Sequence, residues 1–533
     1  MVTAAARKMR TIPAQFDCTL SAEPDKEAVF GGDASLTFRQ LHAEAVAAAQ
    51  ALAQLGVRPG DRVGICTQKT LDQVVAILGV LWANAVLVPI HPVLRAEQIG
   101  HISTDCDMKL LITESTRVGE LRDAARARIV IGRGGDEEGI ASLGKLRRDC
   151  QGSEPFFCGK ADDTAAIIYS SGSTGRPKGI VISHRNLADG ARIVAGYLGT
   201  KTTDRIAGVL SLNFDHGLNQ LLQTVFTGSS LYLHDLIFPR DLFRLLATKR
   251  ITALPVMPVI ISRMFDPLLP GLEDDMDFSA LRYVSTTGGP VTARMLEHLR
   301  KTFPGTDIVL MYGLTEAFRS SWLPPDQLAA RPTSIGKAIP EVELYVLDDK
   351  EQDCAPDVPG QLVHRAGCIA KGYWNAPEAT AERFRQIDRF PGETVVFSGD
   401  LVRRDQEGYL YFLARMDSMI KTYGFRVSPT EIEEQARRFE GLLDAVAFGI
   451  DNPEIGQDIA LVYTTTDGTP LASDALTEHF RLSMPHHMVP RWFLHLEAFP
   501  ATANQGKIDR VLVRRLSLEK LAALSLVKDY DRT

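Results

Sequence analysis

One stretch of this chain carries the residue types that hold a polyphosphate. The eleven residues Tyr169-Ser-Ser-Gly-Ser-Thr-Gly-Arg-Pro-Lys-Gly179 include three glycines and, besides the tyrosine, four hydroxyl residues. Glycines let a backbone approach an anion closely, and N–H groups and hydroxyls then donate to it. Lys178 adds a point positive charge, as phosphate loops commonly do. The spacing is not that of a Walker loop, because GxxxxGK[ST] is not met and the lysine is followed by Gly179 and the strand-like Ile180–Ile182. With the apolar run Ala165–Tyr169 in front, the pattern predicts a strand–loop–strand phosphate clamp. A solvated Gly/Ser turn is the plain alternative, and so long a tract directly after a buried strand argues against it.

The elements that must position this loop follow from periodicity. Arg62–Cys66 reads as a strand, Leu71–Trp82 as a helix, Ala85–Ile90 as a strand, Ala96–Ser103 as a helix and Lys109–Thr113 as a strand. This βαβα rhythm predicts an α/β architecture with largely parallel sheets. From about Val342 the rhythm changes to short strands separated by Gly, Pro and Asp turns, which predicts a small β-barrel-like region. After Arg415 a helix at Thr430–Phe439 and strands at Ala445–Ile450 and Ile459–Thr464 predict a small α+β segment. At 533 residues with 45% hydrophobic side chains, the chain has apolar surface enough for several cores, so bulk disorder is excluded.

Charge and cysteine usage narrow the partners. A net charge of −7 disfavours nucleic acid. Seven cysteines without a CxxC, the nearest pair being Cys150 and Cys158, argue against a disulfide framework or a zinc ribbon. No apolar segment follows the basic start MVTAAARKMR, so no secretory signal is read. The longest apolar stretch, Val74–Ile90, contains Asn84 and falls short of a membrane span, so a buried helix running into a buried strand is expected there. The expectation is a non-secreted, cytoplasmic protein with no integral membrane segment.

The loop YSSGSTGRPKG resembles the signature of the AMP-forming adenylating enzymes, the superfamily of acyl-CoA synthetases, nonribosomal-peptide adenylation domains and luciferases. Further motifs resemble that family's in its order: Thr287-Gly-Gly-Pro290, Tyr312-Gly-Leu-Thr-Glu316, Gly372-Tyr-Trp-Asn375, Phe397-Ser-Gly-Asp400, the hinge segment Arg415–Lys421 with Gly424-Phe-Arg426, and Gly506-Lys-Ile-Asp-Arg510. The likeness covers about residues 25 to 515 and is strongest to stand-alone bacterial acyl-CoA ligases. It implies a ligase using ATP, Mg²⁺ and CoA. By it, Lys178 with Ser171, Gly172, Ser173, Thr174 and Gly175 holds the β- and γ-phosphates. Glu316 ligates Mg²⁺, a hard cation content with few carboxylates and phosphate oxygens. Thr315 donates to the α-phosphate, and Tyr312, Gly313, Gly288 and Gly289 surround adenine. Asp400 accepts both ribose hydroxyls, as a carboxylate can, and Arg415 adds a second ribose contact. Lys421 and Gly424 join the nucleotide and pantetheine side of the site. Lys507 offsets charge developing in the transition state.

Three departures stand out. Gln361 replaces a common Glu, Asn84 replaces a usual Gly, and the loop between Pro500 and Gly506 is about one residue longer, which bears on how Lys507 is presented. The acyl pocket allows two registers. His216 matches the His–Gly gate of acyl-CoA synthetases and luciferases and is counted with the catalytic residues. Phe214-Asp215 matches the pair with which amino-acid-activating domains hold a substrate ammonium. Alternatively, Asp215 caps a helix starting at Leu218. Met257, Pro258 and Met311 line the pocket or belong to the core.

The expected organisation is an AMP-binding and acyl-binding domain over 1–415 and a mobile domain over 416–533 carrying Lys507, hinged at Asp417. The expected reaction joins a carboxylic acid to CoA through an acyl-adenylate. Loading an amino or fatty acid onto a separate phosphopantetheinylated carrier protein is the alternative, since residues 511–533 are too few for a carrier domain. A non-catalytic nucleotide-binding homologue is the distant one.

Overall fold

A computed structural model describes residues 11–125, 127, 129–133, 141–152, 157–171, 177–266, 269, 271–273, 275–423, 425–452, 455–502 and 507–530. The chain is an α/β protein that divides into two compact units, residues 1–345 with 363–398, and residues 346–362 with 399–533.

In unit 1 the alternation of apolar runs and helical periods becomes two sheets among the described residues. The first has seven strands in the order Gly372–Tyr373, Pro177–Ser183, Thr164–Ser171, Val86–Pro89, Arg62–Cys66, Leu110–Thr113, Ile129–Gly132. Its inner strands are parallel and buried on both faces, which explains their unbroken apolar runs. The strand pair flanking the phosphate loop is instead an antiparallel hairpin, the strand–loop–strand arrangement expected from its sequence. The second sheet has nine strands, ordered Lys337–Ala338, Ser321–Leu323, Asp307–Tyr312, Tyr283–Thr286, Ala253–Val256, Arg205–Gly208, Ser230–Leu233, Glu27–Gly31, Ala34–Thr37.

The helix Leu71–Trp82 begins where Thr70 accepts a hydrogen bond from the Gln73 amide, and it is buried from Gln73 to Trp82. A helix apolar all round must be covered on all sides, and this one lies in the main core. Its Trp82 meets Phe16 edge to face at 5.2 Å, and Phe16 meets Phe38 the same way at 6.0 Å. Such pairs add about 0.5–1.5 kcal/mol each beyond their area burial. Asn84, which stands where glycine is usual, takes φ +50° after this helix. The turn demands left-handed backbone, and Asn is among the few residues with a side chain that adopts it at low cost; its amide also donates to Asp163 at 3.1 Å.

In unit 2 the strands Leu442–Asn452 and Gly456–Thr465 form a long antiparallel ladder, with Trp492–His495 parallel beside it. Both run past the apolar alternation that signals them, because backbone pairing continues beyond the buried residues. The helix Pro429–Ala436 is capped by Ser428 and ends three residues earlier than its periodicity suggested. It packs on this sheet through Ile432 and Ala436, with Leu476 and Phe480 from the Ser473–Ser483 helix in the same core. Among the described residues, no helix is long and apolar enough to cross a membrane.

Two fully buried histidines of unit 1 make its stability acid-sensitive. Burial holds His184 down to about 4 and His364 down to about 3. Both values lie below the ordinary one of about 6.5, so between them the unfolded chain binds more protons than the folded one. Stability is then full above about pH 6.5 and falls as pH drops toward 4. Urea midpoints measured from pH 7.5 to 4.5 should decline across that window, and His364→Phe should remove part of the decline.

Candidate active site

Unit 1 brings three distant segments to one tyrosine. Hairpin register sets Ser171 opposite Pro177, Ser170 opposite Lys178 and Tyr169 opposite Gly179, so the loop springs from two paired strands. The strand Gly372–Tyr373 adds antiparallel to the hairpin, with Tyr373 opposite Ile180. The Trp374 amide donates to Gly179 O at 2.7 Å, and its indole N–H donates to Asp105 O at 3.1 Å. Thus docked, Tyr373 presents its ring to Lys178, whose ammonium lies 5.5 Å from the ring centroid. The Tyr373 hydroxyl donates to Glu316 Oε1 at 2.6 Å. Burial and the adjacent carboxylate push the Tyr373 hydroxyl well above the usual phenol range, so it stays protonated and remains a donor. A cation and a carboxylate are thereby held beside a glycine-rich loop, a donor set that fits a metal-bound polyphosphate. Residues Gly172, Ser173, Thr174 and Gly175 lie outside the described residues, as does the side chain of Ser171.

The nucleotide-side residues come from the second sheet. Tyr312 ends the strand Asp307–Tyr312, half-buried and near-parallel to the His364 ring at 6.3 Å. Gly313 is required sterically, since a Cβ there would sit 2.7 Å from Phe318 O. Thr315 and Glu316 follow, both half-buried, and Glu316 O accepts from the Ala370 amide at 2.7 Å. Gly288 turns the chain after the neighbouring strand with φ +88°, and Gly289 follows it.

Unit 2 holds the remaining expected residues. Asp400 pairs with Arg415 across two antiparallel strands, and its carboxylate, 3% exposed, lies 3.1 Å from Arg415 Nε as an ion pair. Arg415 precedes the single helical turn Met416–Ser418, which contains Asp417. Lys421 is exposed in the hairpin Ile420–Thr422/Phe425–Val427, whose Gly424 lies outside the described residues. Lys507 is half-buried: its carbonyl accepts from the Thr502 amide, and Ala501 bridges to Ile508. The lengthened loop before it, residues 503–506, lies outside the described residues. An ion pair stands three residues after Lys507, its carboxylate buried and its arginine half exposed. Glu433, 1% exposed, accepts from Arg510 Nη1 and Nη2 at 2.6 and 2.5 Å and from the Ala447 amide at 2.8 Å.

The residues expected at the acyl pocket lie at the start of the helix Asp215–Thr227. It begins three residues before the expected Leu218, so Asp215 is its first residue and Phe214 the N-cap. Asp215 therefore does not cap the helix through its side chain. Its carboxylate accepts from the His216 amide at 2.7 Å and faces Arg319 Nη1 at 3.4 Å. His216 is buried beside it. Gly217 has no room for a side chain, because a Cβ would lie 1.9 Å from Ser211 O. Three residues here were missed by sequence reasoning. Tyr373 lay inside a quoted motif without a role. His364 carried no local signal. Arg319 was legible only as a lone charge in the otherwise uncharged run Ala317-Phe-Arg-Ser-Ser-Trp322.

Comparison with known proteins gives the family and the fold. A family model described as AMP-binding enzyme matches residues 16–374. Surfactin synthase subunit 2 of Bacillus subtilis (strain 168) is 30% identical over 512 residues, 94% of this chain. The chain spans only 14% of the length of that protein. ATP-bound MatB from Rhodopseudomonas palustris superposes with a TM-score of 0.86 at 23% identity, covering 95% of this chain and 98% of its own. The anthranilate CoA ligase AuaEII in complex with anthranoyl-AMP has a TM-score of 0.84 at 25% identity, covering 96% and 98%.

The Gly217 contact yields a steric test. Gly217→Ala should lower the thermal midpoint by several degrees, since the Ser211 loop and the helix start must separate, whereas His216→Ala at the adjacent position should lower it less. Scanning calorimetry of both variants checks the order.

Proposed function

The chain belongs to the AMP-binding enzyme family, and on that premise we propose that it joins a carboxylic acid to a thiol through an acyl-adenylate. The carrying observation is the convergence of Lys178 and Glu316 on Tyr373 beside the glycine-rich loop. In the first step a carboxylate oxygen attacks the α-phosphorus of ATP. An O–P bond forms, the bond to the β-phosphate oxygen breaks, and pyrophosphate leaves. Lys178 holds the departing phosphates. Glu316 would hold Mg²⁺, which supplies charge neutralisation on the phosphate oxygens when bound. Thr315 donates to the α-phosphate, Tyr312 lies along adenine, and Asp400 with Arg415 receives the ribose. Lys507 meets the carboxylate and the α-phosphate oxygens as charge builds there. In the second step a thiol sulfur attacks the acyl carbon, AMP leaves with the electron pair of the anhydride bond, and the thiol proton passes to solvent.

CoA is the acceptor we favour. A separate carrier protein bearing phosphopantetheine is the second reading, favoured by the similarity to a surfactin synthase subunit. Pyrophosphate release with a panel of acids, repeated with CoA and with holo-carrier protein, separates the two. In this reading the functional boundary falls at Arg415 and Met416, and residues 416–533 rotate between half-reactions. The thiol must reach a carbon that the Lys507 turn would otherwise cover, and a few element-terminal residues absorb such a motion.

Lys507→Ala is expected to cut adenylation about 10²- to 10³-fold, the scale of one preorganised donor. It should leave thioester formation from a preformed acyl-adenylate near wild type. Equal loss in both half-reactions removes Lys507 from the adenylation step. Asp417→Pro fixes φ near −65° and should depress one half-reaction sharply while sparing the other. Gly424→Leu should spare pyrophosphate release and depress thioester formation. Rapid-quench measurement of each half-reaction reads both variants.

A further inference from the structure

Arg319 is a cation in a place where cations are rarely left incomplete. Its side chain is 3% exposed. Nη1 donates to Phe318 O at 2.9 Å and lies 3.4 Å from Asp215 Oδ2. Nε and Nη2 meet no acceptor among the described residues. The residue before it, Phe318, is buried and held at φ +60°, a conformation that a bulky side chain adopts only when its surroundings impose it. An unmet donor on a buried charge is costly, and native proteins keep one where a water, ion or ligand completes it.

The surroundings of Arg319 are polar as well. The Asp215 contact ties it to the start of the Asp215–Thr227 helix, where Asn219 and Gln220 are 1% exposed with unmet side-chain atoms. On the sheet side, Ser320 follows Arg319 and its amide pairs with Tyr312 O at 3.0 Å. One strand beyond lies Ser285, and the hydroxyls of both serines are buried and unmet. The helix that meets Arg319 through Asp215, the segment after Tyr312 and the strand Tyr283–Thr286 thus each carry buried polar atoms that are unmet among the described residues.

We propose that Arg319, neutralised on one side by Asp215, is the specificity-determining residue of the acid site, and that it selects acids carrying an oxygen acceptor away from the reacting carboxylate, as hydroxy and oxo acids do. This inference rests on the adenylation reading above. A bare hydrocarbon packed here leaves Nε and Nη2 unmet. A substrate ammonium would face the guanidinium, and the Asp215 carboxylate that would receive it already faces Arg319 and the His216 amide. The Arg319–Asp215 pair carries no net charge, so a neutral hydroxyl or carbonyl completes the donors without burying a further ion. A site built to bond such a group rejects the analogue lacking it.

The test uses matched acids with the intact protein: hexanoic and 3-hydroxyhexanoic acid, benzoic and 2-hydroxybenzoic acid, and 4-methylpentanoic acid with its 2-hydroxy and 2-amino forms. Wild type should show kcat/KM for pyrophosphate release at least about tenfold higher for the hydroxy member of the preferred set than for the hydrocarbon or amino member. Arg319→Met combined with Asp215→Asn, which leaves no orphaned charge, should bring the ratio to within about threefold, and Arg319→Lys should give an intermediate ratio. Preference of wild type for the hydrocarbon or amino acid, or an unaltered ratio in the double variant, overturns the proposal. Should the double variant not fold, Arg319→Lys alone decides by whether the ratio moves. Should wild type release no pyrophosphate with any acid, the adenylation reading fails separately. Calorimetric binding of the same acids to wild type and Arg319→Lys then decides the role of Arg319.

Discussion

The hydrogen bond from the Tyr373 hydroxyl to Glu316 is where unit 1 becomes a site. Lys178, Glu316 and Tyr373 belong to three segments that are remote in sequence, and each is placed by a different backbone constraint. Hairpin register sets Lys178 opposite Ser170. The short strand Gly372–Tyr373 sets Tyr373 opposite Ile180. The tight turn at Gly313 brings Glu316 off the second sheet. One aromatic ring then meets the cation on its face and the carboxylate at its hydroxyl. A carboxylate and an ammonium placed in direct contact would neutralise each other. Both held on a tyrosine, they stay apart from each other.

Unit 2 uses the opposite device, an ion pair in direct contact whose carboxylate is buried and whose arginine is half exposed. Glu433 is removed from water and takes three hydrogen bonds, two from Arg510 and one from the sheet. Removing one partner of such a pair strands a charge, which is far costlier than replacing both. Its position explains why this cost is borne. Arg510 is three residues from Lys507, so the pair anchors the chain close to the lysine. Asp400 and Arg415 repeat the arrangement at the edge of the unit, where the carboxylate is buried and the arginine half exposed.

The helix that meets Arg319 buries many polar side chains. The Asp215–Thr227 helix buries His216, Asn219, Gln220, Gln223 and Thr224. Gln223 and Asn219 pair with each other at 2.7 Å, while Gln220 and Arg319 keep unmet atoms. Polar networks of this kind rigidify a core only when every member is satisfied. On the proposal made for Arg319, the unmet members are where a substrate group would bind.

The sequence by itself determined the elements and the roster of chemical groups. Leu71–Trp82 is a helix over the residues its periodicity predicted, and the strand–loop–strand reading of the phosphate loop stands because a lysine followed by Gly179 and three β-branched or apolar residues has no route into a helix. Ordered motifs pointed to Lys178, Glu316, Asp400 and Lys507, since local composition carries backbone demands such as left-handed turns and close approaches. Asn84 was legible as an anomaly, and its φ of +50° accounts for it. Only tertiary structure decided the partners. That Tyr373 joins Lys178 to Glu316, that Glu433 receives Arg510, and that Asp215 faces Arg319 are pairings between segments 57 to 195 residues apart. Periodicity and motifs describe a chain's neighbours along itself, and they are silent on which buried charge meets which. That is settled by strand register and helix packing, because a charge taken out of water must find its partner in three dimensions.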